Sequence, residues 1–119
     1  MAAASVHRWE KLTTDTPMAL LERQRVIGEK MMVSRVTLHP GCKVPMHSHA
    51  NEQISCILSG RLKFQLGDDA RTVVVGSGEV LLLPAHVPHA AEALEETVVL
   101  DLFSPPSQTT GIDVHTASS

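Results

Sequence analysis

The stretches of this chain that could be buried are short, rich in Val, Ile, Leu or Thr, and soon interrupted by glycine or proline. That punctuation constrains the fold more than any other feature. A helix needs about 10–12 uninterrupted residues to be worth nucleating, whereas a strand of about 4–8 residues bounded by turn residues is already a complete sheet element. Leu20–Ile27 and Met31–Leu38 flank a Gly28-Glu29-Lys30 turn and read as a hairpin. Arg61–Leu66 alternates, and after a Gly67-Asp68-Asp69 turn the β-branched run Thr72–Val75 follows. Val80–Leu83 is apolar at every position, the pattern of a strand buried on both faces. Thr97–Phe103 is a last strong strand. Only Ala90–Glu96 has helix-forming composition, and it is too short to count as a helix.

The expectation is therefore an all-β, single-domain sandwich or barrel. Residues 1–17 read as an irregular N-terminal arm with Trp9 as its packing peg, residues 18–104 as the barrel, and residues 105–119, rich in Ser, Thr and Pro, as a mobile tail. A chain of 119 residues suits one domain. Aromatic residues make up only 3% of it against 43% apolar in all, so the core must be aliphatic.

A net charge of −3 gives no reason to expect a nucleic acid or an acidic membrane surface as partner. No apolar run approaches the length of a membrane span, and Met1–Lys11 lacks the hydrophobic segment of a secretory signal, so a cytoplasmic location is expected. The two cysteines, Cys42 and Cys56, have no metal-binding spacing and read as free, packed thiols.

Chemistry concentrates between Gly41 and Gly60. His47 and His49 are two apart and share a face of an extended chain. Gln53 follows across the polar Ala50-Asn51-Glu52 corner, in phase with Ser55 and Ile57 along the next apolar run. Further on, Pro84 and Pro88 fix a turn that aims His89. Imidazole nitrogens and an amide oxygen are donors for a divalent first-row metal, and the absence of thiolates argues against a structural zinc cage. Lone histidines are usually packed or exposed residues, and His7, His39, His86 and His115 are read that way, with His86 on the turn outside the ligand set.

The spacing of these residues resembles the two motifs of the cupin superfamily. Gly41, His47, His49, Gln53 and Gly60 meet every interval of the first; Gly78, Pro84 and His89 fit the second, with His86 where a glycine usually stands. The resemblance implies a jelly-roll β-barrel, commonly dimeric, with His47, His49, Gln53 and His89 holding one divalent ion: iron, nickel, zinc, manganese or copper. Gln53 replaces the usual glutamate, which leaves the bound metal more positive and a stronger Lewis acid toward an anionic substrate.

Within the superfamily the pattern resembles small single-domain cupins of the KdgF (pectin-degradation) type, which linearise 4,5-unsaturated uronates. That implies a small-molecule substrate of carbohydrate metabolism, with Asp101 as the group that moves protons. An acidic residue within the apolar run VVLDLF is unusual in its own right. Ser107 and Gln108 occupy the region where this type usually carries an arginine, so Arg23, Arg25 or Arg35 would have to reach a substrate carboxylate from another strand. A metal-dependent dioxygenase and a non-catalytic binding module are the competing readings. With no tyrosine in the chain, mechanisms that use a tyrosine base or a Cys-Tyr crosslink are excluded.

Overall fold

The computed structural model describes residues 3–67 and 71–106; the rest of the 105–119 stretch, His115, Ser107 and Gln108 lie outside the described residues, as do Asp68 and Asp69 of the expected turn. A 3-10 turn at Trp9–Lys11 precedes ten strands: β1 (Asp15–Met18), β2 (Leu21–Ile27), β3 (Met32–Leu38), β4 (Lys43–His47), β5 (Glu52–Ser59), β6 (Arg61–Leu66), β7 (Arg71–Gly76), β8 (Val80–Leu83), β9 (His89–Ala93) and β10 (Thr97–Ser104). They form two sheets, in the orders β1-β2-β3-β10-β5-β8 and β4-β9-β6-β7. Every pairing is antiparallel. This is the all-β jelly roll that the motifs implied.

Alternation sets which side chains meet between the sheets. Along β3, Met32, Ser34, Val36 and Leu38 are buried while Val33, Arg35 and Thr37 face outward. Leu21, Val36, Leu38, Ile57, Leu83 and Val99 of the larger sheet pack against Val44, Leu62, Phe64 and Leu66 of the smaller. With Phe64 as the cluster's one aromatic ring, the core rests on aliphatic burial worth about 1.5–3 kcal/mol per large side chain. The β2–β3 hairpin closes as the sequence predicts, with Gly28 N–H donating to the Met31 carbonyl at 2.8 Å.

Three readings change, and the segment left without an element gains one. Val80–Leu83 is not covered on both faces: β8 is the outer strand of its sheet, Leu83 is buried, and Val80 and Leu82 are 61% and 55% exposed. An apolar run reports that both faces avoid water but not what covers them. The lead-in is not wholly irregular, since Asp15–Met18 adds a strand; Pro17, which cannot donate to a ladder, is tolerated at an edge. The alanine-rich segment after Pro88 is a strand because β4 and β6 pair with it on either side, and tertiary pairing outweighs its helical propensity. Cys56 lies on the face opposite Gln53 as its phase requires, but it is only half-buried.

Candidate metal centre

His47 closes β4 and His89 opens β9, and the two are partners in the β4–β9 register. His49 stands in the loop after β4, and Gln53 is the second residue of β5. The rings of His47 and His89 are 4.2 Å apart between centroids, and those of His49 and His89 are 5.1 Å apart. One ligand atom from each of the three histidines lies within 4.8 Å of the other two, the grouping of a metal-binding cluster.

Each imidazole is fixed by the backbone. Nδ1 of His47 is 2.7 Å from the Pro45 carbonyl, Nδ1 of His49 is 3.0 Å from that of Asn51, and Nδ1 of His89 is 2.9 Å from that of Val87. A carbonyl only accepts, so Nδ1 carries a proton in all three rings, and in the neutral ring Nε2 is the nitrogen with the lone pair. This is the outer-shell arrangement that orients histidine ligands. Burial drives the His47 ring below its ordinary pKa, against the Pro45 carbonyl that raises it and with the neighbouring His49. Burial first, then the charges on His47 and His49, lower His89 to about 4 against the opposing pull of the Val87 carbonyl. Both rings are neutral donors at neutral pH.

Two contacts suit a cation. Nε2 of His89 is buried and has no hydrogen-bond partner, a costly state for a ring nitrogen. Nε2 of His49 lies 3.1 Å from Oε1 of Gln53. In the neutral ring with Nδ1 protonated, both atoms are acceptors. Two acceptors at that distance repel unless a positive ion lies beside both, and about 3 Å separates adjacent ligand atoms on an octahedral ion with bonds of about 2.1 Å. The residues therefore fit a metal.

Behind Gln53 lies an acid. Asp101 of β10 is in register with Ser55, and Ser55 Oγ donates to Asp101 Oδ1 at 2.6 Å. Nε2 of Gln53 donates to Ser55 Oγ at 2.9 Å and approaches Asp101 Oδ1 at 3.4 Å. Burial raises Asp101 to about 6, although the bonds from Ser55 and Gln53 pull it down. The sequence places Ser55 in phase with Gln53 but assigns it no role; its hydrogen bonds to both Gln53 and Asp101 supply one. A cavity of about 40 Å³ joins these groups, lined on its polar side by His47, Gln53, Ser55, His89 and Asp101. That is room for an ion and a few atoms of ligand, not for a whole sugar.

The other candidates fall elsewhere. His86 is exposed on its turn at φ 69°, with its N–H donating to the His49 carbonyl at 2.8 Å, and it stays outside the cluster. Its backbone explains why glycine suits that position. Cys42 is buried, its thiol 3.7 Å from the Ala19 carbonyl. Arg23 is buried against Asp15, with Nη2 at 2.7 Å and Nε at 3.1 Å from its carboxylate, and Arg25 is 3.6 Å from the same group. Arg35 points outward. No arginine among the described residues lines the cavity.

Comparison with known proteins agrees with this geometry. Residues 34–103 match the Cupin domain family. No curated protein matches the chain. An RmlC-like cupin from Shewanella frigidimarina superposes with a TM-score of 0.81 at 21% identity, covering 89% of this chain and 95% of its own. KdgF from Halomonas sp. gives 0.82 at 23% identity, covering 89% and 97%. An oxalate decarboxylase with Mn(II) centres from Bacillus subtilis gives 0.72 at 18% identity over 88% of this chain and 31% of the larger enzyme.

Proposed function

The chain belongs to the cupin family, and from that footing we propose that it is a metal-dependent isomerase of small sugar acids, in which His47, His49, Gln53 and His89 hold one divalent first-row ion and Asp101 moves the proton. The observation that carries the reading is the pairing of a buried acid with a neutral donor set: Asp101 stands one hydroxyl away from Gln53 and at the wall of the same cavity. Fold alone would not separate an enzyme from a binding module. A buried carboxylic acid raised to about 6 is a group poised to exchange protons near neutral pH.

The KdgF likeness supplies the substrate class, a 4,5-unsaturated uronate. When bound, the ion supplies Lewis acidity and a seat for the substrate carboxylate, a task that no cavity arginine shares. The small cavity admits the carboxylate end and leaves the rest of the sugar at the mouth. Ring opening is an internal redistribution: the anomeric hydroxyl loses its proton, the C1–O5 bond breaks to an aldehyde, and the C4=C5 enol gains a proton at C4 to become a ketone. Asp101, its carboxyl held by Ser55 and Gln53, is placed to receive the first proton or return the second. No oxidant is consumed.

The test is to load the protein separately with Fe, Ni, Zn, Mn and Cu and follow the ultraviolet absorbance of the conjugated double bond in an unsaturated monouronate. Loss of absorbance beyond the uncatalysed rate, without oxygen uptake and abolished in Asp101→Asn, is expected. No acceleration with any metal would sink the isomerase reading, and oxygen consumption would move the assignment to a dioxygenase.

A further inference from the structure

Of the three clustered histidines, His49 is the one that no strand holds. His47 and His89 sit in the β4–β9 ladder, whereas His49 stands in the loop between the end of β4 and the start of β5. Where its ring points depends on what that loop is tied to. The end of β10 supplies the ties. Phe103 faces inward two residues beyond Asp101, and its ring meets that of His49 nearly edge-on, with centroids 5.8 Å apart. Pro105 follows the last residue of the strand, and its carbonyl accepts a hydrogen bond from Nδ2 of Asn51. The backbone carbonyl of the same Asn51 accepts the Nδ1–H of His49 at 3.0 Å. Asn51 is only 7% exposed, an uncommon state for an asparagine.

We propose that Asn51 is a positioning residue for the metal: its side chain fastens the loop to the end of β10, and so places the carbonyl that holds the His49 ring with Nε2 toward the ion. The proposal rests on the metal centre and not on the isomerase reading. An imidazole held at Nδ1 turns with its acceptor, so a loop that drifts carries Nε2 away from the bond length of about 2.1 Å that a first-row ion requires. Groups that orient a ligand histidine in this way commonly contribute about 10–100-fold to metal affinity. The tie also refers two ligands to one strand. Gln53 is fixed through Ser55 to Asp101 of β10, and His49 is fixed through Asn51 to Pro105 at the end of the same strand. The competing account is a buried amide that merely satisfies a carbonyl, which predicts lost stability without lost affinity.

The experiment uses the full chain as wild type, Asn51→Ala, Asn51→Asp and Ser104→Ala. Zinc affinity is measured by chelator competition, and hydrogen exchange of the His49 Nδ1–H by NMR of the zinc-loaded protein. Asn51→Asp keeps the size of the side chain but sets an oxygen against the Pro105 carbonyl. Ser104→Ala is the control: it removes the bond from Ser104 Oγ to the Lys30 carbonyl, 2.7 Å long, and loosens the same strand end without touching His49. Circular dichroism identifies any variant that fails to fold, and either Asn51 variant suffices. Both should still take up one zinc ion but bind it about 10–100-fold more weakly, with several-fold faster exchange at His49, while Ser104→Ala matches wild type in both. Folded Asn51 variants with unchanged affinity and exchange, or equal losses in Ser104→Ala, would overturn the proposal. So would a freely exchanging His49 Nδ1–H in zinc-loaded wild type, a result that needs no variant. A wild type that binds no zinc would overturn the metal centre and this proposal together. Isomerase activity is not read, so its absence changes none of these outcomes.

Discussion

The Gln53 amide and the Asp101 carboxylate face each other at 3.4 Å across neighbouring strands, with Ser55 hydrogen-bonded to both. This contact fixes the amide: its nitrogen is committed to the acid, so its oxygen must point toward His49 and the metal position. It also explains why an amide stands where cupins usually have glutamate. A glutamate here would bring a second carboxylate against Asp101 in a buried place, where two like charges cannot both be stable. Gln53→Glu should therefore destabilise the metal-free protein by about 1–3 kcal/mol, and adding Asp101→Asn should recover most of the loss. Denaturant titrations of the two single variants and the double variant measure the coupling; additive effects would show that Asp101 does not dictate the residue at 53.

Two buried groups should give the metal-free protein opposing pH dependences. Asp101 is raised from 3.8 to about 6, so the folded state holds a proton that the unfolded state has lost; its stabilisation is complete below pH 3.8 and disappears as pH rises through 6. His89 is lowered from 6.5 to about 4, so the unfolded state takes a proton that the folded state refuses; its contribution is complete above pH 6.5 and is lost as pH falls through 4. Each shift corresponds to at most about 3 kcal/mol, and over the shared window they offset one another. Wild-type stability should change less between pH 4.5 and 6 than that of Asp101→Asn, in which only the lowered histidines His89 and His47 remain. Asp101→Asn should lose stability on acidification, and His89→Gln should gain it. Equilibrium unfolding of the three proteins across that range checks the signs; parallel curves would show that neither group titrates as described.

What the sequence made legible follows from local chemistry. The Gly28 turn and the alternation of Arg61–Leu66 are written in adjacent residues, so β2, β3 and β6 could be located to within a residue. The histidines and Gln53 could be named because their spacing is fixed by a turn and two strand phases. Partners could not be read. Nothing local says that His47 will pair with His89 or that Asp101 will meet Ser55, since those relations join strands remote in sequence. The carbonyls that fix the ring tautomers are each only two residues from their histidine, but side-chain spacing does not say which way a ring turns. The exposure of Val80 and Leu82 was invisible for the same reason: periodicity reports the preference of a face, not its cover.

Backbone conformation gives a prediction independent of any ligand. Gly60 has φ 88°, and a Cβ there would come closer than 3.0 Å to the Glu96 carbonyl oxygen and to Thr97 Oγ1 and Cα. Thr97 is fully buried and bonds to Arg61 N–H and to the Arg61 and Glu95 carbonyls, so it cannot retreat cheaply. Gly60→Ala should cost about 1–2 kcal/mol for the left-handed backbone and about 1–3 kcal/mol more for the overlap. Leu20 is the converse case: it is 51% exposed at φ 66° in the turn between β1 and β2, where glycine is the residue such a turn favours. Leu20→Gly should stabilise by up to about 1 kcal/mol. Thermal unfolding of both variants should move in opposite directions.

The last prediction separates two histidines that stand three residues apart on one turn. His89 presents a buried Nε2 with no partner toward His47 and His49, whereas His86 is exposed and donates its backbone N–H to the His49 carbonyl. A donor set that loses one of its ligands binds metal far more weakly, while removing an outlying imidazole leaves the set intact. His89→Ala should therefore lower metal affinity by at least 100-fold, on the order of 3 kcal/mol, and His86→Ala should leave it within about threefold, below 1 kcal/mol. Competition with a chelator of known affinity measures both. His89→Ala should also relieve the cost of the unpaired nitrogen, so the metal-free variant should lose less stability than an ordinary core truncation of about 2–5 kcal/mol. Equal loss of affinity in the two variants would place His86 in the ligand set and require the turn to rearrange around the metal.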